Sequence, residues 1–365
     1  MSVTSKNPFV LVGTYTEQEA SQSKGIYVYR LDLSLGELTF AWAAGELLNP
    51  SYLAIHPQQE FLYTVNEVRS FGGKKGGGVS ALSIDSISGR LNLVNSVSSH
   101  GEDPCYISVE QKGRFALVAN YSSGSVAMFP LQADGRLGHA TDIVQHSGSS
   151  VHPERQTGPH AHCILPDPTN RFAIAVDLGL DKLLVYEMDL ERGKLNRHAE
   201  VKIRAGAGPR HITFHPGGQY AYLINELNST LTTCRYHSEA GLFEELQTVP
   251  ALPEDFTGEN LCADVHISPD GKHLYASNRG HDSIVCFFID QIDGQLTYRN
   301  HTPSGGKEPR NFAIDPTGTF LLAANQKSPN IVTFKIDAES GELSRIGHEV
   351  EVSMPVCVQF ARLKS

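Results

Sequence analysis

The chain is a succession of short apolar runs with a two-residue beat. Ile26-Tyr27-Val28-Tyr29-Arg30-Leu31-Asp32 and Ile284-Val285-Cys286-Phe287-Phe288-Ile289-Asp290 are typical, and their length suits β-strands. After each comes a turn of the form Gly-x-Leu or Gly-x-Phe, at Gly36, Gly89, Gly135, Gly193, Gly241, Gly294 and Gly341, seven copies separated by 46 to 58 residues. A further run follows each turn, so each turn joins two antiparallel strands. A second signature lies upstream. Pro209-Arg210-His211-Ile212-Thr213-Phe214-His215-Pro216-Gly217-Gly218 leads into Gln219 to Glu226 as strand, turn and strand, and its relatives begin at Pro50, Pro104, Pro159, Cys262, Pro309 and Pro355.

Each repeat therefore holds four strands, A to D, and seven such units predict an all-β, seven-bladed β-propeller over residues 1–365 as a single domain. The chain starts at a B strand (Phe9 to Thr14) and finishes with a lone A strand (Val356 to Leu363). The last blade is then completed by the first three strands, which removes the open edges of an unclosed array.

With the A strands aligned on those anchors, two offsets stand out. The residues starting A are Ser51, Cys105, His160, Arg210, Ala263, Arg310 and Val356, and those ending B are Tyr15, Glu67, Tyr121, Leu178, Glu226, Arg279 and Gln326. Both offsets fall on one face, at the mouth of the central channel. The third residue after the anchor is apolar in every blade but one, where it is His162, which reads as packed. Asn66, Asn120, Asn225, Asn278 and Asn325 recur before the end of B, which suits a structural hydrogen bond. The long connections at 15–24, 67–78, 143–158 and 246–261 emerge on the same face, and Gly72 to Gly78 reads as a flexible flap.

Composition narrows the chemistry. With 33 Gly and 19 Pro, long helices are not expected, while 40% hydrophobic residues supply a large core. A net charge of −10 argues against a nucleic-acid or membrane-surface binder. No apolar stretch is long enough for a signal peptide core or a membrane helix, so the protein is expected in the cytoplasm, with its six scattered cysteines as buried thiols. Three arginines at one channel mouth, Arg210, Arg279 and Arg310, would repel one another unless an anion or carboxylates sat among them. They point to a small substrate with carboxylate or phosphate groups, unless Glu67 and Glu226 are their permanent partners. His160 is a candidate acid or base at this mouth.

Gly208-Pro209-Arg210-His211, Ile224-Asn225-Glu226-Leu227-Asn228-Ser229, Ala263-Asp264-Val265-His266 and Pro309-Arg310-Asn311-Phe312 resemble the bacterial propeller-type 6-phosphogluconolactonases and the fungal 3-carboxy-cis,cis-muconate lactonizing enzymes, along essentially the whole chain. The resemblance implies a metal-independent enzyme, without cofactor, acting on lactones of acidic molecules. It carries over a catalytic set of His160 (or His162), Arg210, Glu226 and Arg279; beside it, the reading of the residues gives Arg310, Glu67, His211 and His162 as candidate substrate-binding residues. The expected reaction is hydrolysis of 6-phosphoglucono-lactone to 6-phosphogluconate, a step of the pentose phosphate pathway, with Glu226 or His160 as base. Ring closure on a muconate, a calcium-dependent lactonase and a non-enzymatic interaction propeller are the alternatives. Replacing Glu226 by Gln is expected to slow turnover with folding preserved.

Overall fold

A computed structural model describes residues 7–19 and 21–361. It contains seven four-stranded antiparallel sheets and, among the described residues, no helix. Blades 1 to 6 begin with the A strands Leu53–Ile55, Pro104–Val109, Ala161–Pro166, Pro209–Phe214, Leu261–Ile267 and Pro309–Ile314. In blade 7, strand A is Pro355–Ala361, and it pairs with Phe9–Thr14, then Ile26–Leu31 and Leu38–Ala44. The split last blade is thus present; residues 362 and 363 of the expected closing strand lie outside the described residues. Because this pairing holds the ring shut, deleting residues 355–365 should leave the Phe9–Thr14 edge open. The truncated protein is expected to aggregate or lose its melting transition; an unchanged melting curve with monomeric elution would contradict the closure.

The recurring turn glycine has a physical reason. All seven adopt φ of 62–81°, a conformation costly for any side chain. Each also receives the residue that opens strand B of the preceding blade: Phe9 on Gly89, Phe61 on Gly135, Phe115 on Gly193, Phe172 on Gly241, Tyr220 on Gly294, His273 on Gly341 and Phe320 on Gly36. A Cβ at any of them would lie under 3 Å from that ring. Tyr63, Tyr222 and Tyr275 then donate their hydroxyls to the carbonyls of Gly135, Gly294 and Gly341. The repeat read from sequence is therefore the blade-to-blade contact itself.

The recurrent Asn also holds neighbouring chain. Asn66, Asn120, Asn278 and Asn325 donate to the carbonyls of Leu48, Ser99, Ala251 and Ser304 in the D-to-A loops. Asp177 takes this place in blade 3, bonded to His146 Nδ1 at 2.6 Å and to the backbone N–H of His160 at 2.8 Å.

Two connections differ from expectation. Strand D of blade 2 starts only at Asp142, after an isolated Leu131–Leu137 bridge, because Pro130 ends strand C and has no N–H for the ladder. Its Asp142–Gln145 span takes the start of what the sequence suggested was loop. The glycine-rich segment read as a flexible flap contains a hairpin: Ser70–Phe71 and Lys74–Lys75 pair, Phe71 rests on Gly78, and Arg69 and Lys75 bind Asp103 and Glu102 at 2.7 Å.

Candidate active site

In blades 2 to 7 strand A begins with a bulge just after its first one or two residues, as between Pro104 and Tyr106 or Pro209 and His211. The bulge lets two successive residues per blade serve the channel. The upper ring comprises Ser51, Cys105, His162, Arg210, Ala263, Arg310 and Val356, and beneath it lie Tyr52, Tyr106, Cys163, His211, Asp264, Asn311 and Cys357. Tyr52 stacks on Tyr106 with ring centroids 4.2 Å apart, and both meet the edge of His211 from across the channel. This lower layer forms a floor.

Above the floor, a cavity of about 200 Å³ is lined by Glu67, Cys105, Tyr121, Arg155, His162, Glu226, Leu261, Arg279 and Arg310. Glu226 is 3% exposed and carries three guanidinium groups. Arg155 Nη2 donates to Oε1 at 2.6 Å and Arg279 Nη2 to Oε2 at 2.9 Å, while Arg210 Nε lies 3.0 Å from Oε2 without hydrogen-bond alignment. Burial alone would raise the pKa of this carboxyl; Arg279, Arg210 and Arg155 overcome it and bring the value down to about 2. Burial among Arg210 and Arg310 brings Arg279 down to about 10, so it stays cationic at neutral pH.

Arg310 differs from the other three. Among the described residues its guanidinium has no hydrogen bond or ion pair; it sits 5.5 Å over the Tyr15 ring and faces the cavity. Glu67, next to it, accepts from the Tyr15 hydroxyl at 2.9 Å and from the Ser51 hydroxyl at 2.5 Å. Three arginines and two carboxylates line the cavity, and Arg210, against Glu226 from below, adds a further positive charge, so arginine exceeds carboxylate at this site.

Comparison with known proteins agrees with this architecture. The family described as "Lactonase, 7-bladed beta-propeller" matches residues 9–360. The chain belongs to this lactonase family. It is 40% identical over 349 residues to the 6-phosphogluconolactonase of Bacillus subtilis strain 168, covering 96% of this chain and 97% of that one. Against the 6-phosphogluconolactonase of Formosa agariphila it is 34% identical over 311 residues, covering 84% and 86%. The solved periplasmic gluconolactonase of Pseudomonas aeruginosa superposes with a TM-score of 0.91 at 36% identity, covering 98% of this chain and 99% of that one.

Within this lactonase, the strand pairing moves one histidine out of the ring and another into it. Ala161, not Pro159, pairs with the last residue of strand B, Asp177, as Pro209 does with Asn225. His162 is therefore the blade-3 counterpart of Arg210, and Ile164 takes the apolar offset that His162 had seemed to break. His160 sits two residues earlier, its Nδ1 3.0 Å from the Tyr121 carbonyl and its ring stacked on Tyr121, and it does not line the cavity. His162 does line it, with Nδ1 3.6 Å from Cys105 Sγ. Burial, then Arg210, His211 and Arg310, hold its pKa well below the usual imidazole value, so it is neutral. The sequence held a signal for this register: anchor and end of B are 17 positions apart in the other contiguous blades, as from Pro209 to Glu226, but 19 from Pro159 to Leu178.

His211 lies beneath Arg210 rather than beside the larger cavity. Its Nδ1 is 2.8 Å from Asp264 Oδ1, and its Nε2 faces Arg210 Nη1 at 3.3 Å. Asp264 also holds His266 Nε2 at 2.9 Å and Asn311 Nδ2 at 2.5 Å. Burial, reinforced by Arg210 and outweighing Asp264, lowers His211 to about 4. It thus acts as a neutral support for the arginine. Tyr121 and Arg155, which hydrogen-bond each other in the lining, escaped the site residues read from sequence: Tyr121 was visible at its offset, while Arg155 lies on the loop between blades 2 and 3, which carries no repeat.

Proposed function

We propose that the chain hydrolyses 6-phosphoglucono-lactone to 6-phosphogluconate, in the cytoplasm and without a divalent metal ion. The observation that carries this reading is the excess of arginine over carboxylate around one cavity, with Arg310 beside Glu67 but in no ion pair among the described residues. A phosphate monoester brings about −1.5 to −2 at pH 7 and is drawn to such a cationic site. The names of the Bacillus and Formosa relatives favour the phosphorylated lactone over the unphosphorylated one in the name of the Pseudomonas structure.

Roles follow from position. Arg155, a third exposed at the rim, and Arg279 hold the phosphate, while Glu226 keeps both guanidinium groups in place. Arg310, deeper and unpaired, faces the lactone carbonyl and stabilises the negative charge that develops on its oxygen as water adds. His162 and Tyr121 hydrogen-bond the sugar hydroxyls. Glu226 is a poor base, since its oxygens are engaged and it titrates near pH 2.

The test is continuous titration of acid release from freshly generated 6-phosphoglucono-lactone, with the spontaneous rate subtracted and the enzyme exhaustively chelated. Turnover is expected to persist. Loss of activity that calcium or zinc restores would refute the metal-free reading, and no hydrolysis with or without metal would refute the lactonase reading.

A further inference from the structure

We propose that Glu67 is the general base of the hydrolysis, taking the proton from a water molecule seated in a small hollow under the substrate cavity. The inference rests on the lactonase reading of this channel and supplies the proton acceptor that reading lacks.

The hollow has a volume of about 10 Å³, on the order of one water molecule, and its lining includes Ser51, Glu67, Arg210, Arg310 and Asn311. Glu67, Cys105 and Arg310 line both this hollow and the larger cavity, so they form the boundary between water and substrate. Of these three, only Glu67 can accept a proton as an anion. The Tyr15 and Ser51 hydroxyls occupy one lone pair on each of its oxygens, which fixes the carboxylate plane and leaves the remaining lone pairs free. The other acid–base candidates are less suited: Glu226 is bound to three arginines, His160 is stacked outside the cavity, and His162, which lines it, is kept from taking up a proton by burial and the positive charge of Arg210. The Cys105 thiol is raised well above its usual value by burial and then Glu67, and remains protonated.

In the reaction, Glu67 takes one proton from water as the water oxygen bonds to the lactone carbonyl carbon, and the carbonyl π pair moves onto its oxygen facing Arg310. The carbonyl then re-forms, the ring C–O bond breaks, and the proton on Glu67 passes to the departing alkoxide. The new carboxylic acid ionises at neutral pH. Nothing is oxidised or reduced.

Burial pushes the Glu67 carboxyl above the ordinary value, with Asp103 adding to it, against Arg310, Ser51 and Tyr15, which favour the anion. The groups facing it come from blade 6 (Arg310), blade 7 (Tyr15), blade 1 (Ser51) and blade 2 (Asp103, Cys105). A carboxylate raised in this way is a stronger base than a solvated one.

The experiment is the pH profile of kcat/KM on fresh unphosphorylated gluconolactone, which has no phosphate to titrate, for the wild type, Glu67→Gln, Glu67→Asp and Ser51→Ala. Glu67→Gln is expected to lower kcat by about 10²- to 10⁴-fold and abolish the acidic limb. Glu67→Asp should recover part of the rate and keep the limb. Ser51→Ala removes a hydrogen bond that favours the anion, so its limb should move to higher pH. Glu67→Gln turning over within about threefold of wild type, or retaining the limb, overturns the assignment while the lactonase reading stands. Should Glu67→Gln fail to fold, the limb of Ser51→Ala decides: a shift upward supports the assignment and an unmoved limb overturns it. A wild-type chain that hydrolyses no lactone overturns both readings together.

Discussion

Glu226→Gln is expected to destabilise the protein by about 3–5 kcal/mol, because it removes the counter-charge from Arg210, Arg279 and Arg155 at the centre of the channel. Arg210 is 2% exposed and cannot recover its charge partner from solvent. This differs from the expectation from sequence, in which the change slowed turnover and left folding untouched. Urea denaturation measures the loss, and added inorganic phosphate should restore more stability to the variant than to the wild type, since an anion can replace the missing carboxylate. The pH dependence has a definite sign. The folded carboxyl titrates near 2, below its unfolded value near 4.5, so its contribution is complete above about pH 4.5 and lost as pH falls towards 2. Glu226→Gln should therefore lack that part of the acid sensitivity. A variant as stable as wild type at neutral pH would show that the arginines do not need the carboxylate.

Arg310→Ala should behave in the opposite way. Its guanidinium has no ion pair among the described residues, so removing it leaves no carboxylate stranded except the neighbouring Glu67, whose two hydroxyl donors remain. Stability is expected to change little. The rate is not: losing a charged oxyanion donor costs about 2–4 kcal/mol of transition-state stabilisation, or about 30- to 1000-fold in kcat/KM, on phosphorylated and unphosphorylated lactones alike. Arg310→Lys should restore only part, since lysine keeps the charge without the planar fork. A loss confined to the phosphorylated lactone would assign Arg310 to the phosphate instead.

Much of the fold was legible because one requirement recurs seven times. The turn glycine must accept a bulky residue of the adjacent blade at positive φ, so Gly36 to Gly341 mark every blade, and the missing strands at the two ends mark the closure. The channel offsets of Arg210, Glu226, Arg279 and Arg310 were legible for the same reason. Blade 3 was misread because Gly158-Pro159 imitates the anchor two residues early, whereas the true anchor, Ala161, carries no proline. Pairing was harder to see than position. Whether Glu226 or Glu67 was engaged by arginine depended on Arg155, delivered by an irregular loop, and on the direction of Arg310, neither of which has a periodic signature.

The most direct test of the arginine-rich channel is the ratio of kcat/KM for fresh 6-phosphoglucono-lactone to that for unphosphorylated gluconolactone, measured side by side at low ionic strength. Phosphate held by Arg155 and Arg279 should make the ratio at least about 10²-fold in favour of the phosphorylated lactone, and Arg155→Ala should reduce it through KM. A ratio near one in the wild type, unmoved by Arg155→Ala, would contradict a channel built for a phosphorylated substrate.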